Sequence, residues 1–149
     1  MSSPEPSEPP VPEHPARPNT ILVVEDEILI RLALADHLRD AGLTVYEAVN
    51  GAEAVDLLTH HGNEIDAIFS DIMMPGPIDG LALLAWAAQH YPAVPVILTS
   101  GAPGQSQTIS ALNNAGLFFL KPYDMDNVAK LLTAKAKARA QDRDGVPST

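Results

Sequence analysis

Four polar groupings in this sequence, Glu25-Asp26-Glu27, Asp71, Thr99-Ser100 and Lys121, each stand at the end of a short, mainly apolar run. A single Asp after such a run is an ordinary turn or capping residue. Four polar groups ending four runs are a different matter if the fold gathers them. Three carboxylates at one edge would repel one another by about 4 kcal/mol per close pair at an effective dielectric of about 20. A hard divalent cation removes that conflict. Mg2+ prefers oxygen ligands, keeps several waters, and is held by one or two carboxylates plus a phosphate. An ammonium at Lys121 suits a phosphoryl or carboxylate oxygen, and a hydroxyl at Ser100 can donate to another oxygen of the same group. The chemistry that fits is phosphoryl transfer to Asp71 as nucleophile, with Mg2+ and Lys121 neutralising the developing charge.

For these groups to meet, the apolar runs must be parallel strands with their carboxyl ends on one edge, where ligands sit in open α/β sheets. Residues 21–24 form a continuous apolar run, as expected of a strand covered on both faces. Ile28, Leu29, Leu32, Ala33, Ala35 and Leu38 then recur at helical spacing, and Gly42 ends the helix. Residues 43–48 predict strand two, and Asn50 caps a helix over 52–60. Strand three covers 65–71, before Met74-Pro75-Gly76 turns the chain. Helix three is expected over about 80–89, and strand four over 94–98. A weaker helix over about 106–114 offers only Ile109, Ala111 and Leu112 to a core. Residues 117–120 are strand five, and Asp124 caps a last helix from Met125 to about Ala140, with Val128, Leu131 and Leu132 inward. Five strand–helix alternations imply a parallel sheet with helices on both faces, joined by right-handed crossovers.

Composition bounds the rest. The expected organisation of the 149 residues is one domain over 20–140, with a disordered Pro-rich tail at 1–19 and a flexible tail at 141–149. The N-terminal tail holds seven of the fourteen prolines. There is no Cys, which excludes disulfides and thiolate metal sites. Net charge is −10, and between Thr20 and Asp126 fourteen acids face three bases, Arg31, Arg39 and Lys121. Such a body repels phosphate backbones, so direct nucleic-acid binding is not expected. The longest wholly apolar run, residues 81–88, is too short to span a bilayer, and no signal segment is evident. The expectation is a cytoplasmic protein with no membrane partner.

The functional residues resemble the receiver domain of two-component response regulators, over about residues 20–135. The pieces that carry the resemblance are Val23-Val24-Glu25-Asp26-Glu27, Asp71 followed by Met74-Pro75-Gly76 and Asp79-Gly80, Pro95-Val96-Ile97 leading to Ser100-Gly101, and Lys121-Pro122. The resemblance implies a flavodoxin-like, doubly wound (βα)5 fold with a five-stranded parallel sheet in the order 2-1-3-4-5. It implies Asp71 as phosphoacceptor and Mg2+ ligand, Asp26 as direct ligand, Glu25 acting largely through water, and the Met73 backbone carbonyl as a further ligand. Ser100 matches the switch hydroxyl, with Thr99 as the competing candidate. Lys121 would pair with the phosphoryl group, the Lys121-Pro122 bond would be cis, and Phe118 matches the aromatic switch position. The donor would be a histidine kinase or a histidine phosphotransfer protein. Output would pass to a downstream protein by contact, or by phosphoryl shuttling, from a monomer or weak dimer using the helix-4, strand-5 and helix-5 face.

Departures sharpen these expectations. The loop after Asp71 is one residue longer than the commonest in the family, and the segment from Ser100 to Lys121 is slightly short, so an irregular helix 4 is expected. Met73 and Ala102 stand two residues past Asp71 and Ser100. Neither can position a water, so self-dephosphorylation should be slow. Nothing after Arg143 could form a second domain, which points to a stand-alone receiver. Two rivals remain. A Mg2+ phosphohydrolase working through an aspartyl phosphate would need Asp-x-Asp at the end of strand one, where Glu25-Asp26-Glu27 stands. A binding module regulated without phosphorylation would not need the intact acid, hydroxyl and lysine set.

Overall fold

The apolar run near the amino terminus becomes β1 (Thr20–Val24), buried along its whole length and paired on both sides, with β2 (Thr44–Ala48) and β3 (Ala67–Asp71). Pairing on both edges and cover on both faces explain why its sequence does not alternate. β3 pairs with β4 (Val96–Ser100), which pairs with β5 (Phe118–Leu120), so five parallel strands lie in the order β2-β1-β3-β4-β5. This is the order that the resemblance implied. The computed structural model describes residues 18–102, 104 and 106–143. Nearly all of the expected N-terminal tail, and residues 144–149 of the expected C-terminal tail, lie outside them.

Five helices return the chain: α1 (Ile28–Asp40), α2 (Gly51–His61), α3 (Gly80–His90), α4 (Gln107–Asn114) and α5 (Met125–Arg143). Polar side chains start several of them by accepting otherwise orphaned backbone N–H groups. Asn50 accepts from Glu53, Asp79 from Ala82, Ser106 from Ile109, and Asp124 from Asp126 and Asn127. Helix α4 is short but regular, which corrects the expectation of an irregular one; the Ser106 cap supplies its start. Helix α5 continues to Arg143, past the expected end, so residues 141–143 are helix and not tail.

Strand alternation sorts the core into two halves. Ile21, Val23, Ala67, Phe69 and Ile97 pack with Leu34 and Leu38 of α1 and with Val128 and Leu132 of α5. Leu22, Val24, Ile68 and Leu98 pack on the other face with Leu58 of α2, Leu83 of α3 and Leu112 of α4. The α1 pattern needs correcting. Leu34, Ala35 and Leu38 are buried, whereas Ile28, Leu29 and Leu32 are 58%, 79% and 41% exposed. With 3.6 residues per turn, Leu29 and Leu32 fall on the side of the helix away from Leu34, Ala35 and Leu38, and Ile28 is its first residue.

Candidate functional site

The same alternation continues past the strand ends and decides which polar groups share a face. Glu25 follows Ile21 and Val23, Asp71 follows Ala67 and Phe69, and Lys121 follows Phe119, all on the side covered by α1 and α5. Lys121 Nζ donates to Glu25 Oε1 at 2.7 Å and to Asp71 Oδ2 at 2.9 Å. Both acids are buried, Glu25 at 4% and Asp71 at 5% exposure. Asp26 is exposed, and its carboxylate makes no hydrogen bond or ion pair among the described residues. One oxygen from each of Glu25, Asp26 and Asp71 lies within 4.8 Å of the others. Beside them a cleft of about 410 Å³ opens, lined by Asp26, Ile72, Met73, Met74, Pro75 and Asp79. Clustered hard oxygens, one carboxylate still unengaged, and open space alongside are the donor set that Mg2+ accepts.

Backbone contacts fix the reactive acid. The Met73 N–H donates to Asp71 Oδ1 at 3.2 Å, and the Ile72 N–H donates to the Thr99 carbonyl at 2.9 Å. The Met73 side chain is exposed. Ser100 is fully buried and its Oγ accepts from the Ala102 N–H at 3.1 Å. Thr99, the register partner of Asp71, has a buried Oγ1 with no hydrogen-bond partner among the described residues. Phe118 is half-buried against the α2, α3 and α4 side of the core, and the Lys121–Pro122 peptide is cis.

Burial and charge shift the titration of this group. Desolvation lifts the Glu25 carboxyl above its ordinary 4.5, although the Lys121 ammonium and the Glu27 N–H favour its charged form. Burial works against the Lys121 ammonium, but hydrogen bonds to Glu25 and Asp71 outweigh it and raise its pKa. The lysine therefore stays charged at any physiological pH.

Tyr123 joins the same face, its ring edge-on to Phe69 with centroids 5.5 Å apart. Burial, and then the Glu25 charge, push its phenol from 10.0 up to about 12. A group whose folded pKa is raised keeps its full stabilising effect below its unfolded value and loses it as pH rises through the folded one. An alkaline titration followed by phenolate absorbance should therefore place the Tyr123 step above pH 10, near about 12, and coupled to loss of stability. Tyr123→Phe should remove that step.

Sequence reasoning missed two residues here, Arg31 and Glu47. Arg31 Nη1 donates to the Glu25 carbonyl at 2.9 Å, and its Nε donates to Glu47 Oε1 at 3.2 Å. The available signal was the scarcity of bases in this acidic body, since one of only three lies in the first turn of the helix that follows Asp26.

Comparison with known proteins agrees with this geometry. A family model described as the response regulator receiver domain matches residues 21–133. The DNA-binding transcriptional regulator NtrC of Escherichia coli K12 is 37% identical over 113 residues, covering 75% of this chain and 24% of that protein. The sensor kinase CckA of Brucella abortus is 33% identical over 124 residues, covering 83% of this chain and 13% of that protein. The chain thus spans a quarter or less of the length of these curated relatives. Among solved structures, the receiver domain of NtrX from Brucella abortus superposes with a TM-score of 0.65 at 32% identity, covering 78% of this chain and 96% of that one. With the family match extending across all five strands, this chain belongs to the response regulator receiver domain family of two-component systems.

Proposed function

We propose that this receiver accepts a phosphoryl group on Asp71 from a histidine kinase or a histidine phosphotransfer protein. The observation that carries the reading is the Lys121 ammonium held 2.9 Å from Asp71 and 2.7 Å from Glu25, next to the Asp26 carboxylate. A carboxylate oxygen of Asp71 attacks phosphorus, a phosphorus–oxygen or phosphorus–nitrogen bond of the donor breaks, and the leaving group departs with the electron pair. Asp26, Asp71, the Met73 carbonyl and, through water, Glu25 would hold Mg2+, which when bound neutralises charge on the phosphoryl oxygens. Lys121 stabilises the same charge from the other side. The Ser100 hydroxyl then serves the new phosphoryl group, releasing the Ala102 N–H that it accepts from now. Ser100 is preferred over Thr99 by its place in the motif. That rearrangement biases a two-state surface at α4, β5 and α5, with Phe118 beneath it. Output passes by protein contact or onward phosphoryl transfer in the cytoplasm, from a monomer or weak dimer. Among the described residues no helix is long and apolar enough to cross a membrane.

The test is incubation with Mg2+ and a small acyl phosphate, comparing native protein with Asp71→Asn. Stoichiometric, base-labile label that disappears in the variant supports this reading. Multiple turnover would make the protein a phosphohydrolase, and no label would make it a binding module that merely keeps the fold. With Met73 exposed and Ala102 carrying only a methyl, no side chain there orders an attacking water. The label should persist for minutes or longer in Mg2+, and decay within seconds would contradict that.

A further inference from the structure

Among the described residues Arg31 has no hydrogen bond or ion pair to the carboxylates of the cluster, yet it grips the turn that carries them. Its planar fork points two ways, to the Glu25 carbonyl at 2.9 Å and to Glu47 Oε1 at 3.2 Å. Glu47 is anchored on β2, in register with Val23, and its other oxygen accepts from Arg39 Nη2 at 3.1 Å. The guanidinium therefore braces one peptide, the link between Glu25 and Asp26, against the neighbouring strand. The Arg31 side chain is only 11% exposed, so little water competes for these bonds. The two flanking residues are pinned separately, Glu25 by its N–H to the Ala48 carbonyl and Glu27 by its N–H to Glu25 Oε2. Asp26 has no such restraint on its side chain, so its direction is set through its backbone alone.

We propose that Arg31 is a positioning residue that aims the Asp26 carboxylate at the Mg2+ site by holding the 25–26 peptide against Glu47. The proposal rests on the reading of Asp26 as a metal ligand and deepens it. A lysine does not reproduce the fork, because it offers one nitrogen where the guanidinium offers two at a fixed spacing, Nε to Glu47 and Nη1 to the Glu25 carbonyl. Partners one step outside a ligand set typically govern metal affinity by 10- to 100-fold.

The experiment measures Mg2+ affinity by titration calorimetry on the full chain and on Arg31→Lys, Arg31→Gln, Glu47→Gln and Arg39→Gln. Both Arg31 variants should bind roughly tenfold more weakly, and Glu47→Gln, which keeps an acceptor oxygen, should fall between them and the native protein. The amide nitrogen resonance of Asp26, which shares its peptide with the Glu25 carbonyl, should move in the metal-free Arg31 variants. Arg39→Gln loses a bond to Glu47 and one to the Val45 carbonyl, but none to Glu25. It should lower thermal stability but weaken Mg2+ binding and move the Asp26 resonance far less than the Arg31 variants do. Native affinity in Arg31→Lys would overturn the proposal, and so would an equal loss in Arg39→Gln. If Arg31→Gln does not fold, the Lys and Glu47→Gln variants decide. A native protein that binds no Mg2+ would overturn the metal reading itself, whereas native binding matched by every Arg31 variant would overturn only this inference.

Discussion

Lys121→Met should lower folding stability by about 3 kcal/mol at neutral pH without divalent cations, and yet bind Mg2+ more tightly than the native protein. The ammonium sits between carboxylates whose side chains are only 5% and 7% exposed. Removing it leaves two desolvated anions facing each other. Losing one partner of a buried ion pair generally costs about 3–5 kcal/mol, and the open cleft beside Asp26 places this site at the low end. The sign with pH follows from Glu25, which burial already holds above its ordinary 4.5. Without the ammonium it rises further. A carboxyl raised in the folded state favours folding below its unfolded pKa and loses that effect as pH climbs through the folded one. The deficit should therefore shrink as the solution is acidified toward 4.5, and shrink again when Mg2+ is added at neutral pH. Tighter Mg2+ binding follows from removing a like charge. Phosphorylation should nevertheless slow by roughly 10²- to 10³-fold, because the transferring oxygens lose a fixed positive partner. Urea denaturation at two pH values, Mg2+ titration and labelling kinetics measure the three effects. Unchanged stability with weaker Mg2+ binding would contradict the argument.

Gly80→Ala should be equally disruptive without touching any charge. A Cβ at Gly80 would come 2.4 Å from the Asp71 carbonyl oxygen and 2.6 Å from Ile72 Cα. These are backbone atoms and cannot swing aside. The Gly80 N–H donates to the Ile72 carbonyl at 2.9 Å, so α3 starts directly against the segment that carries the acceptor. Overpacking commonly costs 1–3 kcal/mol, and an immovable neighbour puts this case at about 3 kcal/mol. Displacing the Asp71 backbone should also abolish most labelling by a small acyl phosphate. Gly101→Ala is the control. Among the described residues its Cβ would meet only Lys121 Cβ, at 3.7 Å, an ordinary contact, so stability and labelling should both survive. A stable, fully labelled Gly80→Ala protein would mean that α3 can slide away from Asp71.

Much of this was legible in the sequence for a definite reason. Short apolar runs leading into Glu25, Asp71, Ser100 and Lys121 are what a parallel sheet covered on both faces requires, and strand polarity then places their ends together. Asn50 and Asp124 announced their helices through local backbone chemistry. What stayed hidden depended on neighbours distant in sequence. Leu34 and Leu29 are the same residue type on opposite sides of one helix, and which side is covered is settled only by what packs against it. The Arg31 bond to Glu47 crosses from α1 to β2, and no spacing rule connects them. The Thr99 hydroxyl, buried opposite Asp71 with no hydrogen-bond partner among the described residues, could be located only once the register was known.

The sheet also divides its labour unequally. Glu25 and Asp71 extend from β1 and β3, each flanked by strands on both sides, whereas Lys121 follows β5, a three-residue edge strand paired with β4 alone and nowhere fully buried. Local opening is easiest at such an edge. The anions are thus mounted on the stiffest timber of the frame, and the cation on its loosest plank. Amide protons of β5 should exchange ahead of those of β1, and the countercharge can yield to an incoming group while the acids that receive it hold their ground.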